Sequence, residues 1–301
     1  MGGKRLTILV TGSSSGFGRA ACEVLAGRGH HVFATMRDTD GRNLPAAAEL
    51  GELARRRNLR LEVLELDVEH DTSVERAVDA VLAANGQLDV LVNNAGGGVL
   101  GILETFSVQQ ARELFERNVF SVLRVNRAVL PHMRARASGL LVHVSSGLGR
   151  FVLPFNGLYC ATKCAVEAIA EAYRYELAAG GVDSVIVEPG VYATRFFTKA
   201  ATIQPADAGR GAEYVELARL SQEMESRRPA AGDPRDVAEA IADLVELPAR
   251  CRPLRTTVGW AAQRADGLNA AAEELQRTVL GGMGMLEHVT LAPRQETAMG
   301  A

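Results

Sequence analysis

Short apolar runs alternate with longer amphipathic stretches along most of this chain. Runs rich in Val, Leu and Ile predict buried strands at 6–10, 31–36, 61–66, 88–92, 140–144 and 185–187, and a last strand is predicted at 255–258. Between them, apolar residues recur with the period of a helix. Regular alternation of strands and helices predicts an α/β fold: a doubly wound parallel sheet of about seven strands with helices on both faces.

Local signals predict where some helices begin. Thr72 with Glu75, and Ser107 with Gln110, have the spacing of capping boxes, and the helix after Ser107 is predicted to run past 129. The pair Asp233-Pro234 predicts another helix start. The alternation breaks down after 187, so we predict a helical lid insertion at 195–230 and a C-terminal helical extension at 259–301. No repeat or long linker divides the chain, which predicts one domain over 1–301.

Composition excludes several classes of function. The 301 residues are 47% hydrophobic with a net charge of −3 and no basic stripe, so nucleic acid is not an expected partner. No apolar stretch approaches the roughly 20 residues of a membrane span. The four cysteines and six histidines lack metal-ligand spacing, which predicts no metal site. We therefore expect the protein to lie in the reducing environment of the cytoplasm.

A glycine-rich segment follows the first predicted strand. Residues 11–18 read TGSSSGFG and open the first helix, which is the arrangement of a backbone cradle for a pyrophosphate. The alternative is a glycine-rich turn without a ligand. The second strand ends at Arg37, whose guanidinium suits a 2′-phosphate, so NADP is predicted in preference to NAD. NAD is the alternative cofactor, because Asp38 and Asp40 follow closely in the sequence. The alternative interpretation of Arg37 is a solvated residue at the end of the strand.

Tyr159 and Lys163 stand four residues apart, which places both side chains on one face of a helix. An ammonium near a phenol favours the ionised form, so the pair can serve as a general acid/base. The spacing alone is common, and a surface phenol with a surface ammonium is the alternative. Cys160 and Cys164 flank the pair and are interpreted as packed thiols rather than nucleophiles.

The order of the motifs resembles that of the short-chain dehydrogenase/reductase family. The glycine loop comes first, then NNAG at 93–96, Ser146, the Tyr159–Lys163 pair thirteen positions later, and PGVYAT at 189–194. The resemblance covers roughly residues 5 to 260 and implies a Rossmann-type fold and an NAD(P)-dependent oxidoreductase acting on CH–OH groups. It also implies a homodimer or homotetramer. The closest likeness is to the hydroxysteroid and retinol dehydrogenases.

The resemblance implies a role for each matching residue. Tyr159 would be the acid/base, Lys163 would bind the nicotinamide ribose, Ser146 would polarise the substrate oxygen, and Asn118 would connect Lys163 to solvent protons. The implied cofactor contacts, besides Tyr159 and Lys163, are Gly12, Ser14, Ser15, Gly16, Phe17, Gly18, Arg37, Asp67, Val68, Asn94, Ala95, Gly96, Pro189, Gly190, Val191 and Thr194.

Apolar and aromatic residues surround the predicted site. Leu148, Phe151, Phe155 and Phe196 are the candidate substrate contacts, and they predict a hydrophobic small-molecule alcohol or carbonyl. They are equally compatible with ordinary core positions. The resulting hypothesis is reversible oxidation of a hydrophobic secondary alcohol, or reduction of its ketone or an aldehyde, with NADP(H). The alternatives are the same chemistry with NAD(H), or a cofactor-occupancy sensor without turnover.

Overall fold

The strands of the computed structural model, which describes residues 4–192, 194, 203, 205–226 and 231–289, form one fully parallel sheet. Their order across the sheet is β3-β2-β1-β4-β5-β6-β7. The strands are β1 Thr7–Val10, β2 His31–Met36, β3 Leu61–Glu65, β4 Val90–Asn93, β5 Gly139–Val144, β6 Val182–Pro189 and β7 Arg255–Val258. This architecture confirms the predicted doubly wound fold of about seven strands.

Helices connect successive strands and continue beyond the sixth. They are α1 Gly16–Gly27, α2 Leu44–Arg57, α3 Asp71–Asn85, α4 Val108–Phe115, α5 Ser121–Ala135, α6 Gly157–Glu176, α7 Ala208–Ala212, α8 Val215–Ser226, α9 Pro234–Glu246, α10 Trp260–Gln263, α11 Asp266–Gly282 and α12 Leu286–Val289. Short 3₁₀ turns at Leu103–Thr105 and Gly147–Gly149 interrupt two loops.

The core has two layers, one on each face of the sheet. On one face, alternate residues of the strands pack against α1, α2 and α9. On the other, the remaining strand residues pack against α3, α5 and the end of α6. Because β1 has β2 on one side and β4 on the other, the chain winds outward in both directions from it. The carboxyl ends of β1 and β4 therefore border the crevice where such sheets bind ligands.

Two predicted helix starts are correct, and a third is wrong. The Ser107 hydroxyl accepts from Gln110 N while the Gln110 side chain accepts from Ser107 N, completing the predicted capping box. Asp233 caps α9 through Arg235 N at 2.9 Å. By contrast, α3 begins at Asp71, so Thr72 lies inside the first turn and caps nothing. The helix therefore starts one residue before Thr72, with His70 at the N-cap and the Asp71 carboxylate ion-paired with Arg124 of α5.

The long helix after Ser107 is continuous but not uniform. A π-helical turn at Glu116–Phe120 joins α4 to α5. Turns of this kind widen a helix locally and are common at functional sites. Here the turn carries Asn118, one of the predicted site residues.

The described part of the predicted lid is helical, as expected. Asp207 N donates to Thr105 O at 3.1 Å, and Arg210 is ion-paired with Glu104 at 3.1 Å. The segment that contains α7 therefore docks on the 3₁₀ turn at Leu103–Thr105. The single-domain assignment, the lid role of 195–230 and the homodimer or homotetramer stay predictions. None of the described helices is long and apolar enough to span a bilayer.

His143 of β5 predicts loss of stability in acid. It is fully buried, and burial lowers the pKa of its imidazole from 6.5 to about 3. Below pH 6.5 the unfolded chain therefore takes up a proton that the folded chain refuses, so the free energy of unfolding decreases as pH falls towards 3. We expect a loss of about 2 kcal/mol between pH 6.5 and 5 from this group. Urea unfolding across this range measures it.

The His143→Phe variant isolates that effect. It removes the titrating group while keeping an aromatic ring of similar size, so its loss of stability in acid should be smaller than that of the wild-type protein. His70→Gln is the control, because His70 is exposed and its replacement should leave the wild-type dependence intact. Equal acid dependence in His143→Phe and wild type would refute the assignment.

Candidate active site

The glycine loop between β1 and α1 is built for close backbone approach. Gly12 and Gly16 have φ of 71° and 61°, a region that favours glycine. A Cβ on Gly12 would lie 2.8 Å from Ala95 Cα, and one on Gly18 would lie 2.4 Å from Asn94 Nδ2. All three glycines are therefore required by the geometry of the loop.

The loop is clamped to the end of β4 by Asn94. Its side-chain Nδ2 donates to Thr11 O at 2.9 Å and to Gly12 O at 3.1 Å. The Thr11 hydroxyl accepts from Asn94 N and Ala95 N, both at 3.0 Å. Asn93, next to it, donates to Asn126 Oδ1 at 2.8 Å and so ties β4 to α5. The NNAG motif thus braces the sheet and the glycine loop together.

These features fit the pyrophosphate of a dinucleotide. The N-terminus of α1 opens at Gly16, where the first amides of a helix have no partner within the helix and favour an anion. Side chains at Gly12 or Gly18 would collide with Ala95 or Asn94 and so displace the loop that forms the cradle. Phe17 packs edge-on against Tyr192, with ring centroids 5.4 Å apart, which fixes the start of α1 against the end of β6.

Cationic and polar groups follow β2 and β3 at the same edge of the sheet. The Arg37 guanidinium lies 3.3 Å from Glu69 and 4.0 Å from Asp67. Glu69 is shared with Arg117, at 3.2 Å. Asp67 Oδ1 accepts from Glu69 N, and Val68, which follows Asp67, is buried. Arg37 therefore points towards the predicted adenosine region but is held there by carboxylates.

A cavity of about 680 Å³ opens beside the glycine loop. Ser14, Ser15 and Gly16 line one side, and Arg42 and Asn43 at the start of α2 line another. Arg42 is exposed, and its backbone N donates to Asp38 Oδ2 at 2.8 Å. Arg42 is not among the predicted cofactor contacts, because it lies past the strand end where a phosphate-binding cation is usually sought. The Asp38 carboxylate instead caps the turn before α2.

The end of β6 leads back to the glycine loop. Pro189 pairs with Val258 of β7, and Gly190 N donates to Val258 O at 2.8 Å. Val191 O accepts from Gly232 N at 3.0 Å. Thr194 then lies against Gly16, since a Cβ there would be 3.4 Å from the Thr194 side chain. The PGVYAT segment therefore closes the same crevice from the β6 side.

Ser146 and Tyr159 meet at the end of β5. Ser146 is the N-cap of the turn Gly147–Gly149, and its hydroxyl accepts from Leu148 N at 3.1 Å. It also hydrogen-bonds to the Tyr159 phenol. Burial raises the pKa of Tyr159 well above its ordinary value of 10, and the Ser146 hydrogen bond opposes that rise only in part. The phenol is therefore protonated at neutral pH.

Lys163 lies one turn further along α6, also buried. Its Nζ donates to Val144 O at 2.9 Å and lies 5.8 Å from the centroid of the Tyr159 ring. Burial lowers the pKa of Lys163 to about 8, against the charge of Glu167, which raises it. The predicted juxtaposition with Tyr159 is present. The expected lowering of the phenol pKa by Lys163 is not, because burial dominates and the ammonium points at a carbonyl.

Asn118 clamps the loop after β4 to α6. Its Oδ1 accepts from Gly97 N at 2.8 Å, and its Nδ2 donates to Gly97 O and to Thr162 Oγ1. Both amide hydrogens are thus used within the protein. In this arrangement Asn118 supports the residue before Lys163 directly, while the predicted link to Lys163 through water stays a prediction.

An apolar cluster covers one side of Tyr159. Leu148 is half-buried and packs there with Val99, Leu114 and Leu158. Phe151 is half-buried beside the Gly147 turn, and Phe155 O accepts from Gly101 N at 2.8 Å. The structure therefore brings Leu148, Phe151 and Phe155 to the same end of the site. Phe196, the fourth predicted substrate contact, lies outside the described residues.

The two cysteines beside the pair differ from each other. Cys160 is fully buried, and burial raises the pKa of its thiol. Cys164 is exposed, with its sulfur 3.1 Å from Gly149 O, so its prediction as a packed thiol is wrong. It lies on the outward side of α6, where the helix period carries it away from the Tyr159 face.

The chain is similar in sequence to one protein family and to several individual proteins. The model of the short chain dehydrogenase family matches residues 6–204. The 3-ketodihydrosphingosine reductase of Bacteroides thetaiotaomicron is 32% identical, covering 84% of this chain and 87% of its own. Human retinol dehydrogenase 8 is 34% identical, covering 79% of this chain and 77% of its own. Human 17-beta-hydroxysteroid dehydrogenase type 1 is also 34% identical, covering 81% of this chain and 75% of its own.

Solved structures agree in fold. A short-chain dehydrogenase from Streptomyces avermitilis is 34% identical with a TM-score of 0.72, covering 93% of this chain and 98% of its own. Among more distant matches, an alcohol dehydrogenase of Thermococcus sibiricus was solved with 5-hydroxy-NADP, at 26% identity and a TM-score of 0.68; 85% of this chain and 96% of that one are covered. A Burkholderia phymatum relative was solved with NAD, at 25% identity and a TM-score of 0.73; the match covers 92% of this chain and 96% of that one.

Proposed function

Since the chain belongs to the short-chain dehydrogenase family of NAD(P)-dependent oxidoreductases, we propose that it interconverts a hydrophobic secondary alcohol and its ketone, or reduces an aldehyde, with NADP(H). The observation that carries the proposal is the buried Tyr159 phenol, hydrogen-bonded to Ser146 with Lys163 one helical turn away. These groups lie at the carboxyl edge of the sheet, as does the glycine loop.

Residues of this chain would donate and accept the proton that accompanies hydride transfer. A bound nicotinamide ring supplies the hydride in reduction and accepts it in oxidation. Tyr159, protonated at neutral pH, would donate its phenolic proton to a carbonyl oxygen, and the Ser146 hydroxyl would hydrogen-bond to the same oxygen and stabilise its developing charge. In oxidation the phenolate would accept the proton. Lys163 would stabilise that phenolate and bind the nicotinamide ribose.

The substrate class is inferred from the surroundings of Tyr159. Leu148 packs in the apolar cluster of Val99, Leu114 and Tyr159. Phe151, beside the Gly147 turn, and Phe155 are included in the proposal as further apolar contacts. The three relatives are named for a ketodihydrosphingosine, a retinol and a 17β-hydroxysteroid, all of which join an apolar skeleton to one reacting oxygen. Phe196 is included in the proposal from its place in the sequence.

A panel assay tests the proposal. Long-chain aliphatic, steroid, retinoid and aromatic alcohols and carbonyls are supplied with NADPH/NADP⁺ or NADH/NAD⁺, with small polar polyols as the matched control. Turnover of an apolar compound and none of the polyols is the expected result. Turnover of polyols alone would contradict the substrate class. Tight NADPH binding without turnover of any compound would indicate a sensor instead.

The preference for NADP is proposed from charge at the end of β2. Arg37 lies where the adenosine ribose would bind, Arg42 lines the cavity next to Ser14, and Asp38 is occupied in capping a turn. A 2′-phosphate would compete with Glu69 for Arg37. Because Arg117 also binds Glu69, that carboxylate would keep a partner when Arg37 turned to the phosphate.

Replacing Arg37 by Ala tests this preference. We expect NADPH to bind about 10- to 100-fold more weakly, because a charge-assisted hydrogen-bond set of roughly 1.5–3 kcal/mol is lost. NADH, which has no 2′-phosphate, should bind within about twofold of wild type. Fluorescence titration gives both constants, and Arg56→Ala, on the exposed last turn of α2, is the control. Equal weakening of both cofactors would rule out the role of Arg37.

A further inference from the structure

The face of α6 that carries Tyr159 and Lys163 continues with two carboxylates. Glu167 follows Lys163 by four residues and Glu171 follows by four more, so all four side chains form one stripe along the helix. Lys163 is 8% exposed and Glu167 is 2% exposed. A buried carboxylate directly below a buried ammonium is costly unless the two charges compensate each other or have other partners.

Arg255 of β7 fixes the position of Glu167. Its Nε donates to Glu167 Oε2 at 2.9 Å, and its terminal nitrogen donates to Glu171 Oε2 at 2.6 Å. Arg255 Nε also lies 3.4 Å from Glu188 Oε1 at the end of β6. One buried guanidinium therefore faces three carboxylates. The cluster carries an excess of negative charge next to Lys163.

Glu188 and its neighbours complete the set of charges around Glu167. Asn269 of α11 donates to Glu188 Oε2 at 2.8 Å, and its own Oδ1 accepts from Arg150 Nε at 2.6 Å. Burial, followed by the Glu167 carboxylate, raises the pKa of Glu188. Glu188 lies on β6 and Glu171 lies two helical turns from Lys163, so Glu167 is the carboxylate of this cluster that lies one helical turn from Lys163.

The second oxygen of Glu167 faces the turn that carries Ser146. Oε1 accepts no hydrogen bond from the part of the chain that the structure describes. A Cβ on Gly149 would lie 3.0 Å from Glu167 Cγ, 3.3 Å from Oε1 and 2.9 Å from Ser145 Oγ. Glu167 therefore packs against the Gly147–Gly149 turn as well as lying one helical turn from Lys163.

We propose that Glu167 is a positioning residue for Lys163: held by Arg255, its carboxylate keeps the Lys163 side chain cationic beside Tyr159 during proton exchange. The inference rests on the proposed oxidoreductase chemistry and adds a third member to the Tyr159–Lys163 pair. Burial lowers the pKa of Lys163 to about 8, and Glu167 is the charge that raises it against burial. Loss of that charge should let Lys163 deprotonate at lower pH.

The test is the pH profile of kcat/KM for carbonyl reduction in Glu167→Gln. Activity should fall on the alkaline side as Lys163 loses its proton, and in Glu167→Gln this fall should begin about one pH unit lower than in wild type. Glu171→Gln is the matched control, because Glu171 binds the same Arg255 but lies two helical turns from Lys163. Its alkaline limb should coincide with that of wild type. Glu167→Asp keeps the negative charge, so its alkaline limb should lie close to that of wild type.

Each outcome bears on the proposal. Coincident alkaline limbs in Glu167→Gln and wild type, or equal shifts in Glu167→Gln and Glu171→Gln, would overturn it while leaving the oxidoreductase function intact. If Glu167→Gln does not fold, the double variant Glu167→Gln, Arg255→Met is compared with Arg255→Met alone, and the alkaline limb of the double variant is expected to begin at lower pH than that of the single variant. If wild type turns over no compound, the proposed function fails. The effect of Glu167 on Lys163 is then measured from NADPH affinity as a function of pH. With rising pH, this affinity should begin to fall at a lower pH in Glu167→Gln than in wild type.

Discussion

Replacing Tyr159 by Phe should reduce kcat by about 10³-fold, because the proposed general acid/base that exchanges a proton with the substrate oxygen is removed. The ring stays in its apolar cluster, and only the hydroxyl that meets Ser146 is lost. NADPH affinity should therefore remain within about twofold of wild type. Steady-state kinetics with a substrate from the panel, together with fluorescence titration of NADPH, measures both quantities.

Tyr173→Phe is the matched control for that variant. Tyr173 lies on the same helix, is half-buried, and its hydroxyl hydrogen-bonds to Asn126 rather than to any predicted site residue. It should retain wild-type turnover. An active Tyr159→Phe protein would exclude the phenol as the acid/base. A Tyr159→Phe protein that had lost NADPH binding would point to a structural role.

Replacing Gly18 by Ala should have the second largest effect. The new Cβ would lie 2.4 Å from Asn94 Nδ2 and 2.5 Å from Gly12 O, so the Asn94 clamp or the loop itself must move. We expect NADPH affinity to fall by about 100-fold or more and the free energy of unfolding to fall by about 1–3 kcal/mol. Fluorescence titration and urea unfolding measure the two losses.

Gly27→Ala provides the control in the same helix. Nothing lies within 4 Å of a Cβ at Gly27, and α1 ends there. The substitution should leave NADPH affinity unchanged and, because alanine favours helix, should not lower stability. If Gly18→Ala bound NADPH as tightly as Gly27→Ala does, the loop would not be the cofactor cradle.

Most of the sheet was predictable from local composition. The run at β2 was placed at its observed bounds, because buried parallel strands are largely continuous apolar segments. The predicted bounds of β7 are also correct, although its sequence, RTTV, is mostly polar. For β6 only 185–187 was predicted, whereas the strand spans Val182–Pro189. The added residues include Asp183 and Glu188, which are buried because Arg252 and Asn269, far away in the chain, bind them. No local pattern contains those partners.

The residues of the candidate site were predictable from the sequence, but the pKa values of their side chains were not. Motif order identified Tyr159, Lys163 and Ser146, and the structure brings them together. The pKa of Tyr159 depends on how deeply the phenol is buried and on where Lys163 points, and neither is encoded in a four-residue spacing. The sequence contained a signal for Glu167, because Glu167 follows Lys163 by the same four residues that separate Lys163 from Tyr159. Its significance depends on Arg255, which arrives from the last strand.

Isotope transfer from the cofactor gives a direct test of hydride transfer with proton exchange at Tyr159. Wild-type protein is incubated with NADPH carrying deuterium at both C4 positions and a ketone from the panel, and the alcohol product is analysed by mass spectrometry. One deuterium on the carbinol carbon is predicted for wild type, with a yield about 10³-fold lower for Tyr159→Phe. An alcohol without deuterium, or equal yields from the two proteins, would contradict the account.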